Sequence, residues 1–242
     1  RRHPDLDPRR LIVAELEGYG VDCTHVRRCP GTASSVSAVI VDSRGERMIV
    51  NHLDPSLPVD ATWLPSAGSV GAHVVLADTR WPEGALTALA AARAAGLPAV
   101  LDADRPVPVD GALLRAASHV AFSSDALADL TGIGDARTAL AEVARGLQGW
   151  CCVTAGGDGV YSYGHGEMRH DPAFDVPVVD TLGAGDVWHG AFALALAEGR
   201  PEIQAVRFTS AAAALKVQRS GGRAGVAVRA ELDAFLATRP AA

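Results

Sequence analysis

Between residues 73 and 154 the chain repeats one pattern: a short apolar run, a break, then an alanine- or leucine-rich stretch with helical spacing. The runs at 73–78, 98–102, 119–122 and 150–154 are too short for helices and carry apolar residues at consecutive positions. Strands that are apolar on both faces belong to a parallel sheet covered on both sides. The stretches at 82–96, 110–117, 125–130 and 135–147 read as helices, the first with proline at its start and glycine at its end. Strand–helix alternation of this kind fixes an α/β class, with helices on both faces of a mainly parallel sheet. In such sheets ligands bind beyond the carboxyl ends of the strands. The segments to inspect are therefore Asp78-Thr79-Arg80, Asp102-Ala103-Asp104, Ser123-Ser124-Asp125 and Ala155-Gly156-Gly157.

Flanking this block, 8–20 reads as a helix, and 34–42 with 47–51 reads as a β-hairpin with a polar tip at 43–46. Residues 160–163 and 168–174 read as antiparallel strands. Pro177 leads into a strand end at Val178-Val179-Asp180, followed by helices at 184–198, 202–219 and 229–237. With 242 residues, 48% of them hydrophobic, and no internal repeat or low-complexity linker, the chain can bury one substantial core, and the expectation is a single domain over 1–242, or one domain with a small appendage.

A net charge of −6 without basic clusters argues against nucleic-acid and membrane-surface partners. No apolar stretch reaches the roughly 18 residues that span a bilayer, and the polar start at Arg1 lacks a signal-peptide core. Cys23, Cys29, Cys151 and Cys152 lack zinc-site spacing, and the last two open an apolar run. Buried, reduced thiols in a cytoplasmic protein are the expectation. His52, His73, His119 and His189 form no metal-ligand spacing.

The chemistry concentrates in Asp180-Thr181-Leu182-Gly183-Ala184-Gly185-Asp186. Gly183 and Gly185 permit a tight turn and close approach of a phosphate. The N–H groups of Gly183, Ala184 and Gly185 then converge at a helix start, where the helix dipole adds positive charge. That is an anion hole for a transferring phosphoryl group, and Asp186 beside it is a base for a substrate hydroxyl. As a short glycine motif alone, the same residues would merely turn the chain and stabilise the first helical turn.

The segment 180–186 resembles the signature of the ribokinase-like carbohydrate kinases, the phosphofructokinase B type. Val153-Thr154-Ala155-Gly156-Gly157-Asp158-Gly159-Val160 is similar to that family's nucleotide-side turn. Ala213-Ala214-Leu215-Lys216 with Gly221-Gly222 is similar to its adenine-side helix and loop, and Leu130-Thr131-Gly132 also falls in place. The resemblance implies a three-layer α/β/α sandwich with a small β-hairpin lid. It implies a kinase that uses ATP and Mg²⁺, with Asp186 as base and Gly183, Ala184 and Gly185 on the phosphates. Thr154, Gly156, Gly157, Gly159, Thr181, Ala213 and Gly222 fall to the nucleotide side, and Asp180 with the Gly222 loop lies where relatives hold a monovalent cation. It also implies a homodimer through the lid.

Within the family the sulfofructose kinases look similar over long stretches, including Ile49-Val50-Asn51, Ala77-Asp78-Thr79-Arg80-Trp81, His189-Gly190 and Gly222-Arg223-Ala224-Gly225. That subgroup implies Asn51 and Arg80 as ligands of an anionic group on a ketose such as 6-deoxy-6-sulfofructose. A guanidinium just past a strand end suits a sulfonate or phosphate. A surface salt bridge for Arg80 and a strand-end turn for Asn51 are the alternatives. Trp81 is a packing or a stacking residue; His189, three positions after Asp186, packs or touches substrate.

Two departures stand out. The family's Asn-x-x-Glu motif is replaced by Ser123 and Ala126, which leaves the magnesium residues unassigned. The pattern is entered just before residue 8, so the expectation is a kinase domain lacking the usual N-terminal segment, with 34–51 as the remnant of the lid. Ribokinase, fructokinase or nucleoside kinase activity on the same fold, or nucleotide binding without turnover, are the competing functions.

Overall fold

The computed structural model describes residues 8–41, 47–108 and 111–239. The chain divides into two compact units, Arg1–Leu64 and Pro65–Ala242.

The first unit holds helix α1 (Pro8–Gly18) and an antiparallel pair, β1 (Val36–Val41) and β2 (Arg47–His52). The register sets Val36 opposite His52, Ser37 opposite Asn51, and Ile40 opposite Met48. Side chains alternate across a strand, so Val36, Ile40, Met48 and Val50 share one face, and all four are exposed. The polar tip expected at 43–46 lies outside the described residues. The loop after β2 is fastened locally: the Asp54 carboxylate accepts from Ala33 N at 2.6 Å and Ser56 N at 2.9 Å. Arg27 stacks over Trp63 at 5.5 Å.

The second unit is built on a six-stranded sheet: β3 (Val75–Asp78), β4 (Ala99–Ala103), β5 (His119–Ser123), β6 (Trp150–Thr154), β7 (Val160–Gly164) and β8 (Glu167–Asp171). The strands lie side by side in chain order. β3 to β6 are parallel; β7 and β8 run back antiparallel. Helices α2 (Pro82–Ala94), α3 (Ala112–Ala116), α4 (Ser124–Thr131) and α5 (Ala136–Ala144) connect the parallel strands; α6 (Ala184–Ala197), α7 (Glu202–Val217) and α8 (Arg229–Ala237) follow the sheet.

Each central strand is apolar on both faces because each face has its own core. Leu101, Phe122, Cys151 and Val153 point to one side, where Leu89, Leu114, Leu127 and Leu140 meet them. Val100, Ala121 and Cys152 point to the other, against Trp188, Phe192, Val206 and Phe208. Burying each large side chain contributes about 1.5–3 kcal/mol, which secures the three layers. Trp150 and Trp188 stack on Phe192 at 4.9 and 5.2 Å and hold α6 to the sheet. The helix starts are fixed by local chemistry: Ser123 Oγ accepts from Ala126 N at 3.1 Å, and the Asp135 carboxylate accepts from Thr138 N at 2.8 Å.

Two expectations need correction. The buried strand expected at β3 instead pairs with β4 alone among the described residues, and Leu76 is 41% exposed. The strand end expected at Val178-Val179-Asp180 is an irregular segment outside the sheet. Pro172 ends β8, and Pro177 has no N–H for a ladder. Val179 N and Asp180 N instead both donate to Val217 O, at 2.7 and 3.0 Å.

Candidate active site

Gly183 caps α6 in the left-handed conformation, with φ +75°, where a side chain would be strained. The Asp180 carboxylate accepts from Leu182 N at 2.9 Å and shapes the turn before it. Ala184 N donates to Thr181 O at 3.1 Å. Of the three N–H groups expected in the anion hole, that of Ala184 is therefore already engaged. Gly185 and Asp186 sit in the first helical turn, whose N–H groups have no carbonyl four residues back. Asp186 is exposed, and its carboxylate leans back over the cap: Oδ2 lies 3.8 Å from where a Cβ on Gly183 would stand.

Beside this turn is a cavity of about 460 Å³. The turn after β6, the extended segment 173–178, the start of α6 and one face of α7 enclose it. Thr154, Gly156, Gly157, Gly159, Thr181, Ala184, Gly185 and Ala213 all line it. Gly183 adjoins it as the helix cap, whereas Gly222 stands in the loop beyond α7 and is not part of the lining. Gly159 has φ +92°, and a Cβ there would come within 2.2 Å of Asp171 O. Only glycine lets the turn pass β8 so closely. The cavity wall is mostly apolar, yet Trp188 Nε1 and Ser210 Oγ are buried without a hydrogen-bond partner among the described residues. Buried unpaired groups are costly, so these two are ready to meet a polar ligand.

A charged cluster lies past β3 and β4. Arg80 donates to Asp104 Oδ2 at 2.5 Å and Asp78 Oδ2 at 3.3 Å, while Thr79 Oγ1 donates to Asp104 Oδ1 at 3.0 Å. Burial works against the Arg80 charge, but Asp104 and then Asp78 outweigh it and raise the guanidinium above the ordinary arginine value. The surface salt bridge weighed for Arg80 is present, at 44% side-chain exposure. Deeper, His189 Nδ1 lies 2.9 Å from Asp102 Oδ2, an ion-pair distance without hydrogen-bond alignment. His189 Nε2 and Asp102 Oδ1 are buried with no hydrogen-bond partner among the described residues. Trp81 packs over Gly84, where a Cβ would fall 2.3 Å from the indole. Asn51 is exposed on β2 in the first unit, opposite Ser37.

Sequence reasoning missed several residues here. Phe174, Val178, Trp188 and Ser210 line the cavity without a motif to announce them. Lys216 was noted only as part of a helix. It is 1% exposed, and its Nζ lies 3.2 Å from Arg219 O, 3.5 Å from Asp180 O and 3.8 Å from Asp180 Oδ2. Its position was a signal: it falls seven residues after Thr209 and four after Ala212, on the stripe that α7 buries. Ser123, in place of the expected asparagine, serves as a helix cap. Among the described residues no group of three or more His, Cys, Asp or Glu could hold a metal ion.

A parallel α/β sheet with a glycine-lined cavity at a helix start defines a nucleotide-binding architecture. The chain belongs to the pfkB family of carbohydrate kinases, whose family model matches residues 7–228. Bacillus subtilis ribokinase is 45% identical over 85 residues, which cover 35% of this chain and 29% of that protein. Schizosaccharomyces pombe ribokinase is 23% identical over 234 residues, covering 92% and 74%. A solved candidate ribokinase from Agrobacterium tumefaciens superposes with a TM-score of 0.86 at 39% identity, covering 93% of this chain and 76% of that one. Arabidopsis thaliana ribokinase, solved with ribose and ATP, gives 0.80 at 25%, covering 95% and 78%. The fold is thus ribokinase-like, as expected. Among the described residues no helix is long and apolar enough to cross a membrane.

Proposed function

We propose that this chain is an ATP-dependent sugar kinase acting on a furanose sugar of the ribokinase type. The observation that carries the reading is Asp186 in the first turn of α6, beside a cavity with unpaired polar groups. The cavity takes the adenosine part of ATP, with Ala213 and Ala214 along the base and Gly156, Gly157 and Gly159 near the phosphates. Asp186 accepts the proton of the attacking hydroxyl. The sugar oxygen bonds to the γ-phosphorus as the bond to the bridging oxygen breaks, and ADP leaves. First-turn N–H groups of α6 face the charge that develops on the phosphoryl oxygens. The magnesium that ATP chemistry uses would be held mainly by phosphates and water.

A second substrate class, an anionic ketose such as 6-deoxy-6-sulfofructose, is favoured by one observation: the cationic, half-exposed Arg80 at the carboxyl end of β3. Against it, Arg80 is already paired with two carboxylates, which an anionic group would have to displace. The hairpin 34–51 is read as the remnant of the family's β-lid, with Asn51 as its polar candidate, and its exposed apolar face suits pairing of two chains.

The test is ADP release with Mg-ATP and ribose, fructose, fructose 6-phosphate, sulfofructose, a keto-deoxy sugar acid or adenosine, with Asp186→Asn as control. Selective turnover of one sugar, lost in the variant, supports the reading. ATP binding with no turnover of any acceptor overturns it in favour of a nucleotide-binding chain without catalysis.

A further inference from the structure

The turn that presents Asp186 is braced by a buried cation. Lys216 is the penultimate residue of α7, and its ammonium faces two carbonyl oxygens and one carboxylate oxygen: Arg219 O, Asp180 O and Asp180 Oδ2. An ammonium only donates, and each of these atoms only accepts. The next residue, Val217, contributes its carbonyl to both Val179 N and Asp180 N. The end of α7 is thereby tied to the start of the catalytic turn by one charge and two backbone bonds.

Carbonyl and carboxylate oxygens gathered around a desolvated positive charge are what a monovalent ion takes in exchange for its water shell. The sequence resemblance implied such an ion at Asp180 and the Gly222 loop. The residues do not fit one. The Asp180 oxygens already face Nζ, and a second positive charge beside a buried ammonium would be strongly repelled.

We propose that Lys216 is a tethered replacement for that ion: a positioning residue that holds Asp180, and through it the Gly183–Asp186 turn, without any dissolved monovalent cation. The kinetic part of this inference rests on the kinase reading. Because the charge is covalently attached, it costs no binding equilibrium, and the turn keeps its shape whatever the salt.

The experiment compares the unsubstituted protein with Lys216→Ala and Lys216→Met. Each is measured in tetramethylammonium chloride and with potassium or ammonium substituted at constant ionic strength. The readings are kcat, KM for ATP, affinity for a non-hydrolysable ATP analogue, and Tm. The unsubstituted protein should be indifferent to potassium in all four. Lys216→Ala should lose about tenfold to a hundredfold in kcat and regain part of it, with analogue affinity and Tm, when potassium or ammonium fills the vacated space. Lys216→Met, which keeps the volume without the charge, should lose as much and regain nothing. Potassium stimulation of the unsubstituted protein would overturn the proposal, and so would full activity of Lys216→Met without potassium. If both variants fail to fold, the response of the unsubstituted protein still decides. If no sugar is turned over at all, the kinase reading fails, while analogue affinity and Tm still test Lys216.

Discussion

The two ligand-facing regions of the second unit are built on opposite plans. The cavity beside α6 and α7 is lined by glycine, alanine and valine, and its buried polar atoms wait without partners. The cluster past β3 and β4 is crowded with charges that already satisfy one another: Arg80 with Asp78 and Asp104, and Thr79 with Asp104. On the proposed function, the first region would recognise a ligand by shape and backbone, with its polar atoms unpaired beforehand. The second must exchange existing ion pairs for new ones. Nucleotide binding should therefore tolerate salt, whereas any binding of an anionic sugar at Arg80 should weaken with it.

The largest expected effect comes from the proposed base. Asp186→Asn should lower kcat by about 10²–10⁴-fold with both KM values nearly unchanged, since the variant keeps its shape and loses only the base. Steady-state kinetics with both substrates varied would show it; a comparable rise in KM for ATP would mean Asp186 serves the cavity rather than the proton. Next, Ala213→Phe fills the cavity. It should raise KM for ATP by about tenfold or more and leave KM for the sugar alone, which isothermal titration with an ATP analogue can check. Arg80→Met should then act only on anionic sugars, again by about tenfold in KM. Asp104→Asn, which frees Arg80 from its nearer partner, should act in the opposite direction. Equal effects on neutral and anionic sugars would show that the cluster is scaffold.

The smallest effect lies away from both regions. His119, at the opposite end of β5, is held below the ordinary histidine value first by burial and then by the neighbouring Arg93 charge, against the pull of Glu202. Its folded form resists protonation, so between that lowered value and about pH 6.5 the unfolded chain binds more protons. Stability from this group is present above about pH 6.5 and is lost as the pH falls. Urea unfolding should record the decline, and His119→Phe should flatten it.

Much of the sheet was legible because its signal is local. Apolar runs bounded by proline, glycine and capping residues placed β4, β5, β6, α2 and α5 within a few residues. The glycine turn before Asp186 was legible for the same reason. What failed was pairing. Val178 and Val179 look like strand residues, but whether they join a ladder depends on distant neighbours, and two prolines decide against it. A salt bridge for Arg80 was one of two readings, but its partner was not legible because Asp104 lies 24 positions later. Lys216 carried no signal beyond its place in the helix motif, because the oxygens around it come from a loop 36 residues earlier and from Arg219, just past the end of α7.

The strands of the sheet lie in the order in which they are made. As the chain leaves the ribosome, each strand can dock on the one before it, and the helical layer formed by α2 to α5 is complete by residue 144. The cavity is different: its floor is the turn at 154–159, but its opposite wall is α7, finished only at residue 217. Nascent chains halted between these points would carry a nearly complete sheet and no place for a nucleotide. On the proposed function, the nucleotide site would thus be completed last, when α7 arrives and Lys216 closes on Asp180.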